Sequence, residues 1–401
     1  MKRIIIHSDL NNFFASVECL KQPWLSSVPM AVAGDKEKRH GIILAKNIHA
    51  AKCGVKTAEP IWSARSKCPN LICVPPNHND YLSVSRQVRG IYAEYSNKIE
   101  SFGIDECWID ISDIASDFEQ GREIADEIRA RIRNEIGITA SCGVSFNKIF
   151  AKLGSDMKKP DATTVIDEQS FKQTVWELPV ESMLFVGKST LKTLSAMNIH
   201  TIGELAQTDV LLLERILGKN GISLWINANG QNRSPVADSD IQSEMKSISH
   251  SITLPHDIED LDEVRVVLLS LCERVSARMR KHGYVCGTVR LFVRDDQFNS
   301  YERQATLDMP NRTAACLLEV AFSLYKAHHK GGRPVRALGV AAANLSLDAS
   351  GQMTILSEAD KFEKQEKIES LADDIRLQFG RSALKRGIML TKNIITDEQS
   401  D

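Results

Sequence analysis

The chain has 401 residues, of which 43% are hydrophobic and 25% are charged, and this composition predicts a soluble globular protein of about two to four domains. The formal net charge is −2, which excludes a globally basic nucleic-acid-binding protein and leaves only local patches for that role. Nine cysteines without any Cys-x-x-Cys pair argue against a disulfide framework or a zinc site, so we expect reduced thiols in a cytoplasmic protein. Neither a signal peptide nor a membrane-spanning apolar run is apparent.

The first half of the chain alternates predicted strands and helices. A β-branched apolar run over residues 1–10 predicts a strand with Asp9 near its end, and strands are predicted on both sides of Asp105 and Glu106. The other elements predicted here are a helix over 11–21, a helix over 80–97, a helix over 120–136, a strand over 139–144 and a helix from 147. This alternation predicts an α+β arrangement, an antiparallel sheet with helices on one face.

Asp9, Asp105 and Glu106 are the candidate chemical groups. Two short strands lying side by side would bring these carboxylates together, and the carboxylates would repel one another unless a cation joined them. Carboxylate oxygens suit Mg²⁺, and two such ions about 3.5–4 Å apart would clamp the attacking and leaving oxygens of a phosphoryl transfer. Each carboxylate alone also fits a helix cap or a turn, and Asp110 is expected to face solvent or a basic residue.

The chain changes character at about residue 166. Residues 166–232 are predicted to be helical. Within them, a tight turn at Gly187, Lys188 and Ser189 resembles a helix-hairpin-helix, in which backbone N–H groups at a helix start bind phosphate; an ordinary helix pair fits the stretch equally well.

The remaining residues are predicted to form a linker, a second mixed region and a tail. The linker prediction, over 233–245, rests on a polar stretch without periodicity. Residues 246–345 again alternate predicted strands and helices, and several arginines lie along them. A charged helix is predicted over 359–379.

Four segments, taken in order, resemble a known family. They are His7–Glu18, Ser101–Glu106, Cys142–Lys152 and Ser155–Pro160. Together they resemble the Y-family of DNA polymerases, of the DNA polymerase IV type, over nearly the whole chain. The resemblance implies a right-hand fold with the following parts: a palm of antiparallel sheet and helices (1–10 and 79–165), small fingers (11–78), a helical thumb with a helix-hairpin-helix (166–232), a linker (233–245), a little finger (246–345) and a C-terminal tail (346–401).

The resemblance also implies roles for individual residues. Asp9 and Asp105 would bridge two Mg²⁺ ions, Glu106 would complete the ion nearest the primer 3′-hydroxyl, and the Leu10 carbonyl would ligate the second ion. Lys159 would bind the triphosphate. The other residues implied to contact substrate or DNA are Phe13 and Phe14 at the incoming nucleotide, and Gly187, Lys188, Ser189, Lys246, Ser247, Arg290 and Arg294 on the DNA.

Phe14 matches the steric gate that excludes a 2′-hydroxyl, whereas Phe13, its neighbour on the same helix, is the better core residue. The fingers depart from the family pattern. Where the family usually carries Thr, Tyr and Arg as triphosphate ligands, this chain has Ala45, Ile48 and Ala51. We therefore expect weaker nucleotide binding, or a compensating charge from nearby lysines, which are Lys46 and Lys52.

The tail resembles a clamp-binding peptide. Gln352, Met353, Ile355 and Leu356 follow the pattern by which bacterial polymerases dock on the sliding clamp, although Ile-Leu replaces the usual Leu-Phe and a chance match is a rival explanation.

The leading hypothesis is a low-fidelity translesion DNA polymerase without proofreading. Its expected substrates are primer–template DNA and deoxynucleoside triphosphates, and it is expected to be a monomer with no membrane association. A nucleotidyl cyclase, a catalytically weak DNA- or clamp-binding accessory protein and a UmuC-like polymerase that acts with partner subunits are the alternatives.

Overall fold

The computed structural model describes residues 3–35, 39, 41–238, 244–329, 332–347, 358–380 and 383–390. The chain divides into two compact units. Unit 1 comprises Met1–Gly34 and Ile42–Gln242, and unit 2 comprises Asp35–Gly41 and Ser243–Asp401. Within the described ranges, every helix is too short or too polar to span a lipid bilayer.

Unit 1 contains two sheets and a set of helices. Its strands are β1 (Ile5–Leu10), β2 (Met30–Ala33), β3 (Ile43–Lys46), β4 (Ile72–Val74), β5 (Ile99–Ser101), β6 (Glu106–Asp110), β7 (Ala140–Ser145) and β8 (Thr163–Ile166). Its helices are α1 (Phe13–Lys21), α2 (Ile48–Lys52), α3 (Ile61–Lys67), α4 (His78–Ala93), α5 (Phe118–Arg131), α6 (Lys148–Met157), α7 (Phe171–Val175), α8 (Lys188–Ala196), α9 (Ile202–Gln207), α10 (Val210–Leu217) and α11 (Lys219–Ala228).

The larger sheet of unit 1 has five strands in the order β5-β6-β1-β7-β8. The central strand β1 is antiparallel to both neighbours, as expected, whereas the edge strand β8 runs parallel to β7. Every residue of β1 is buried, because helices cover both faces of the sheet. On one face, Ile6 and Val144 pack in the core cluster that includes Val88 of α4 and Ile128 of α5.

Helix α6 covers the opposite face, so the expectation of helices on one face only was wrong. It crosses the sheet at Gly143 of β7, where an added Cβ would lie 1.9 Å from the Ala151 carbonyl oxygen and 2.5 Å from the Ser155 nitrogen. Only a residue without a side chain allows the helix to approach this closely. Asn147 caps the helix by accepting a hydrogen bond from the Phe150 N–H.

The other sheet of unit 1 is small, with the order β3-β2-β4. Asn47 follows β3 and caps α2, and its buried side chain also bonds the backbone of Leu25, Val28 and Met30. The helices α7–α11 share a separate core with residues of α6, and a capping box between Thr201 and Glu204 starts α9.

In its described residues, unit 2 contains a four-stranded antiparallel sheet and four helices. Its elements are β9 (Ser247–Ile258), α12 (Leu261–Lys281), β10 (Tyr284–Asp295), β11 (Ser300–Asn311), α13 (Ala314–His328), β12 (Val335–Leu347), α14 (Glu358–Phe379) and α15 (Gly387–Leu390). The sheet order is β11-β10-β12-β9, and apolar residues of α12 and α13 pack on one face of it. The charged helix α14 is held to α12 by ion pairs from Arg280 to Glu369 and Asp373 at 2.7 Å each.

Candidate active site

The backbone of the five-stranded sheet brings the three predicted carboxylates to one place. Asp9 on β1 lies directly opposite Glu106 on β6 in the strand register. Asp105 precedes β6 at the end of a turn, and its carbonyl accepts a hydrogen bond from the Leu10 N–H at 3.0 Å. Two neighbouring strand ends therefore place Asp105 and Glu106 beside Asp9, as the sequence predicted.

Helix α6 adds two lysines to this cluster. The Lys152 ammonium lies 2.7 Å from Glu106 and 3.5 Å from Asp9, so it bridges the two carboxylates. Lys159 follows the helix and contacts Asp9 at 2.7 Å and Asp156 at 2.8 Å. Since α6 crosses β7 at Gly143, Lys152 within the helix and Lys159 just after it both reach the ends of the strands.

His7 contacts both α6 and one carboxylate of the cluster. Its side chain is fully buried two residues before Asp9, and therefore on the same face of β1. Its Nδ1 lies 2.9 Å from the Ser155 hydroxyl on α6, and its Nε2 lies 3.2 Å from Glu106. The imidazole thus connects the helix to the carboxylate.

The side chains perturb one another's proton affinities. Burial raises the pKa of Asp105, and the neighbouring charges of Asp9 and Glu106 raise it further. Burial acts in the same direction on Glu106, but its interactions with His7 and Lys152 outweigh burial and lower its pKa to about 2. Burial lowers the pKa of His7, which favours the neutral imidazole. The site therefore holds carboxylates of different proton affinity next to fixed positive charge.

Two phenylalanines begin α1, shortly after Asp9 in the chain. Phe13 is 3% exposed and belongs to a core of unit 1, as expected of the better core residue, and its contact with the incoming nucleotide stays a prediction. Phe14 is half-buried, stacks on Tyr81 of α4 with ring centroids 4.2 Å apart, and meets His78 edge-on. Phe14 therefore presents a rigidly backed aromatic ring.

Comparison with known proteins identifies the family. The impB/mucB/samB family matches residues 8–156, and the C-terminal domain of the same family matches residues 245–355. The chain is 46% identical to DNA polymerase IV of Acetivibrio thermocellus, over 97% of this chain and 98% of the relative. It is 36% identical to DNA polymerase IV 1 of Bacillus subtilis, over 97% and 94% of the two chains. A solved Y-family DNA polymerase chimera matches the fold with a TM-score of 0.77 at 24% identity, covering 86% of this chain and all of the chimera.

The chain belongs to the Y-family of DNA polymerases, as a member of the DNA polymerase IV type. It is a DNA-directed DNA polymerase, and neither a nucleotidyl cyclase nor an accessory protein. The relationship also confirms the expected right-hand fold class.

The carboxylate site of this polymerase fits divalent metal ions. In the described part of the chain, no three His, Cys, Asp or Glu side chains already form a ready-made metal cage, and Lys152 stands between two of the carboxylates. The buried Glu106 Oε2 lies 2.7 Å from the Lys152 ammonium and 3.2 Å from His7 Nε2, so this oxygen already sits where a cation is held. All candidate ligands are hard oxygens, as Mg²⁺ prefers.

The remaining predicted nucleotide ligands lie around the small sheet of unit 1. Lys46 ends β3 and donates to the Thr57 hydroxyl at 3.3 Å, and Lys52 ends the short helix α2 with its side chain exposed. Ile48 is 44% exposed and Ala51 is exposed, so neither fills a core that would account for its identity. The roles of the two lysines stay predictions.

The predicted DNA-binding residues lie in both units. Gly187, Lys188 and Ser189 are exposed at the start of α8. In unit 2, Val289, Leu291 and Val293 of β10 face the helices, so Arg290 and Arg294 project from the opposite face. The same face carries small residues of neighbouring strands, among them Ser247, Ser249 and Ser251 of β9 and Gly339 and Ala341 of β12, and we refer to it as the open face. Lys246 is exposed just before β9.

The clamp-binding prediction cannot be placed on the structure in this way, since Gln352, Met353, Ile355 and Leu356 lie outside the described residues. Conversely, the structure adds two residues that the sequence interpretation left without a role, Lys152 and His7. A periodic signal was available for His7, which lies two residues before Asp9 and therefore shares its strand face. Helical periodicity does not relate Lys152 to Lys159, because α6 ends at Met157.

Proposed function

We propose that this polymerase copies damaged DNA templates with low fidelity and without proofreading, transferring a nucleotide from a deoxynucleoside triphosphate to a primer 3′-hydroxyl. The convergence of Asp9, Asp105 and Glu106 at adjacent strand ends is the observation that carries the proposal. The DNA polymerase IV relatives match this chain nearly end to end, which supports carrying the polymerase reaction over to it. We further propose that the protein works as a monomer in the cytoplasm.

Two Mg²⁺ ions would be held by Asp9 and Asp105, with Glu106 and the Leu10 carbonyl each completing one of them. When bound, the ions would lower the pKa of the attacking hydroxyl and neutralise charge on the triphosphate. The chain's own contribution is to position the carboxylates and to offset their repulsion. Lys152 supplies part of that offset through its contacts with Glu106 and Asp9.

Lys159 and Phe14 would select and hold the nucleotide. Lys159 is free to exchange its contact with Asp9 for a phosphate oxygen, because its flexible side chain is part-exposed at 35%. The Phe14 ring, backed by Tyr81, would pack against C2′ of the sugar and exclude a 2′-hydroxyl. Lys46 and Lys52 would supply charge that Ala45, Ile48 and Ala51 cannot.

The test of the main proposal is primer extension on undamaged and lesion-containing templates with Mg²⁺, comparing the unmodified protein with the Asp105→Ala/Glu106→Ala variant. We expect extension across both templates by the former and none by the latter. Asp113→Asn serves as a matched control, because Asp113 is an exposed carboxylate of the same unit that pairs with Lys98. Extension by the double variant would contradict the site assignment, and failure of the unmodified protein on damaged templates would contradict the translesion role.

The lysines of the fingers call for a separate measurement. The nucleotide KM of Lys46→Ala and Lys52→Ala should rise severalfold if these residues supply the missing charge. Lys56→Ala, an exposed lysine of the same region, is the control. An unchanged KM in both variants would contradict this part of the proposal.

The tail is proposed to dock on a sliding clamp through Gln352 and Leu356, with Met353 and Ile355 between them. The test is primer extension by the full chain with and without its clamp. The Gln352→Ala/Leu356→Ala variant should retain basal extension and lose the stimulation by the clamp; equal stimulation of both proteins would contradict the proposal.

A further inference from the structure

Three consecutive backbone carbonyls at the acidic turn each accept a hydrogen bond from a different donor. The Gly103 carbonyl accepts from the Arg89 guanidinium at 3.2 Å. The Ile104 carbonyl accepts from the Ser85 hydroxyl at 2.5 Å. The Asp105 carbonyl accepts from the Leu10 N–H at 3.0 Å, which ties the turn to the residue after Asp9. Two of these three donors come from α4, a helix that carries none of the predicted site residues.

The donors of α4 lie on one face of the helix. Ser85 and Arg89 are four residues apart, and Tyr92 follows three residues later, so all three share a stripe. The buried Tyr92 hydroxyl donates to the Ser8 hydroxyl at 2.8 Å, directly before Asp9. One helix face therefore contacts both chain segments that carry the catalytic carboxylates.

The turn needs such support for an electrostatic reason. Asp105 lies close enough to Asp9 and Glu106 for their charges to disfavour its ionised form, so they repel the Asp105 carboxylate. Besides the Leu10 contact, the backbone pairing of the turn includes a bond from the Phe102 N–H to the Glu106 carbonyl at 2.8 Å. Ser85 is only 3% exposed, so little water reaches its hydroxyl to compete with the hydrogen bond to the Ile104 carbonyl.

We propose that Ser85 and Arg89 are positioning residues for the polymerase reaction, which hold the Asp105 turn at the distance from Asp9 that the reaction requires. The inference rests on the proposed function of the carboxylates. Each residue bonds a backbone carbonyl that precedes Asp105 and would act through that backbone. Losing either bond allows the turn to retreat from its charged neighbours without unfolding the sheet.

The first experiment measures single-nucleotide incorporation by Ser85→Ala and Arg89→Ala. We expect kcat to fall by roughly 10- to 100-fold, as for a catalytic group displaced by about 1 Å, while the nucleotide KM changes less than about twofold. Ser85→Thr, which keeps the hydroxyl, should recover most of the loss. Arg86→Ala, an exposed arginine beside Ser85 on α4, should behave like the unmodified protein.

A second readout is independent of turnover. Mn²⁺ is titrated calorimetrically into each protein bound to a 3′-dideoxy-terminated primer–template, and Ser85→Ala and Arg89→Ala should bind the ion severalfold more weakly, with little change in the midpoint of thermal unfolding. Unchanged kcat and unchanged Mn²⁺ affinity would overturn the proposal. A fall in the unfolding midpoint that alone accounts for the lost activity, with Mn²⁺ affinity unchanged in the folded fraction, would also overturn it.

A double-variant cycle separates this inference from the function on which it rests. If Ser85 acts through Asp105, adding Ser85→Ala to Asp105→Asn should reduce the rate by less than about twofold beyond Asp105→Asn alone. A full additional loss in the Asp105→Asn background would overturn the positioning role and leave the proposed function intact. Full activity of Asp105→Asn itself would instead contradict the proposed function.

Discussion

The five-stranded sheet of unit 1 has helices on both faces, whereas the four-stranded sheet of unit 2 has α12 and α13 on one face and small or basic residues on the other. In the first sheet the polar groups near the strand ends are enclosed and paired, as His7, Asp9 and Glu106 show. In the second, polar residues such as Ser249 and Arg290 are exposed on the open face.

Enclosed and exposed polar groups suit different functions. Enclosed charges interact strongly because little water screens them, so their geometry and proton affinities are set by neighbours. Exposed charges interact weakly and exchange partners easily, which would suit the predicted contacts with a DNA backbone that moves during copying. Substitutions in the first sheet should therefore have large effects on chemistry or folding, and substitutions on the open face should have small effects on affinity.

Asp9→Asn should produce the largest effect. It removes a charge that faces Lys152 and Lys159 at the proposed metal site, and the rate of single-nucleotide incorporation should fall by about 10³-fold or more, equivalent to roughly 4 kcal/mol of transition-state stabilisation. DNA affinity, measured by fluorescence anisotropy, should change little. If the variant kept more than a tenth of the activity, the claim that substitutions in the enclosed site have large effects on chemistry would be contradicted.

Two glycines test the packing difference between the sheets. Gly143→Ala should destabilise the protein by about 3 kcal/mol or more, because the new Cβ would overlap the backbone of α6. Gly287→Ala in β10 should lie within about 0.5 kcal/mol of the unmodified protein, because its nearest neighbours, both atoms of Asn344, would be at ordinary distances of 3.6 and 3.7 Å. Urea unfolding of the two variants measures both values; similar losses would contradict the distinction.

Acid should weaken the enclosed site. The folded pKa of Glu106 is about 2, below its ordinary value of 4.5, so its stabilising contribution is fully present above pH 4.5 and is lost as the pH falls towards 2. After discounting for partial exposure, we expect a loss of about 1–2 kcal/mol. The free energies of unfolding of the unmodified protein and of Glu106→Gln, measured without metal, should converge over this pH range. A constant difference would contradict the prediction.

The smallest effects are expected on the open face. Arg290→Ala and Arg294→Ala should each weaken DNA binding only severalfold, equally for all sequences, and should reduce the slope of log affinity against log salt by about one. Arg303→Ala is the control, since its register opposite Leu291 places it on the side of the sheet that faces the helices. An equal loss for Arg303 would contradict the assignment of faces.

Much of the five-stranded sheet could be predicted from the sequence. The β-branched run before Asp9 and the alternation after Glu106 predicted the strands β1 and β6, and both are present. The same run contains a signal that points to helices on both faces. Ile4, Ile5 and Ile6 are consecutive and fully buried, which is typical of a strand enclosed on both sides rather than of one with a solvated face.

The contacts within the site could not be predicted in the same way. Lys152 reaches Glu106 only because α6 crosses the sheet at Gly143, and this crossing depends on packing between elements rather than on local periodicity. Ser85 and Arg89 read as ordinary polar positions of an amphipathic helix. Their partners lie 19 and 14 residues away, at backbone carbonyls, which carry no side-chain signal at all.

The ammonium groups of Lys152 and Lys159 should also affect the rate at which DNA associates with this surface. Three bare carboxylates would present a negative field to an approaching polyanion and slow its diffusional encounter. The two ammonium groups among these carboxylates cancel part of that field, although both lysines also pair with Asp156. The acidic centre therefore repels approaching DNA less than its carboxylates alone would.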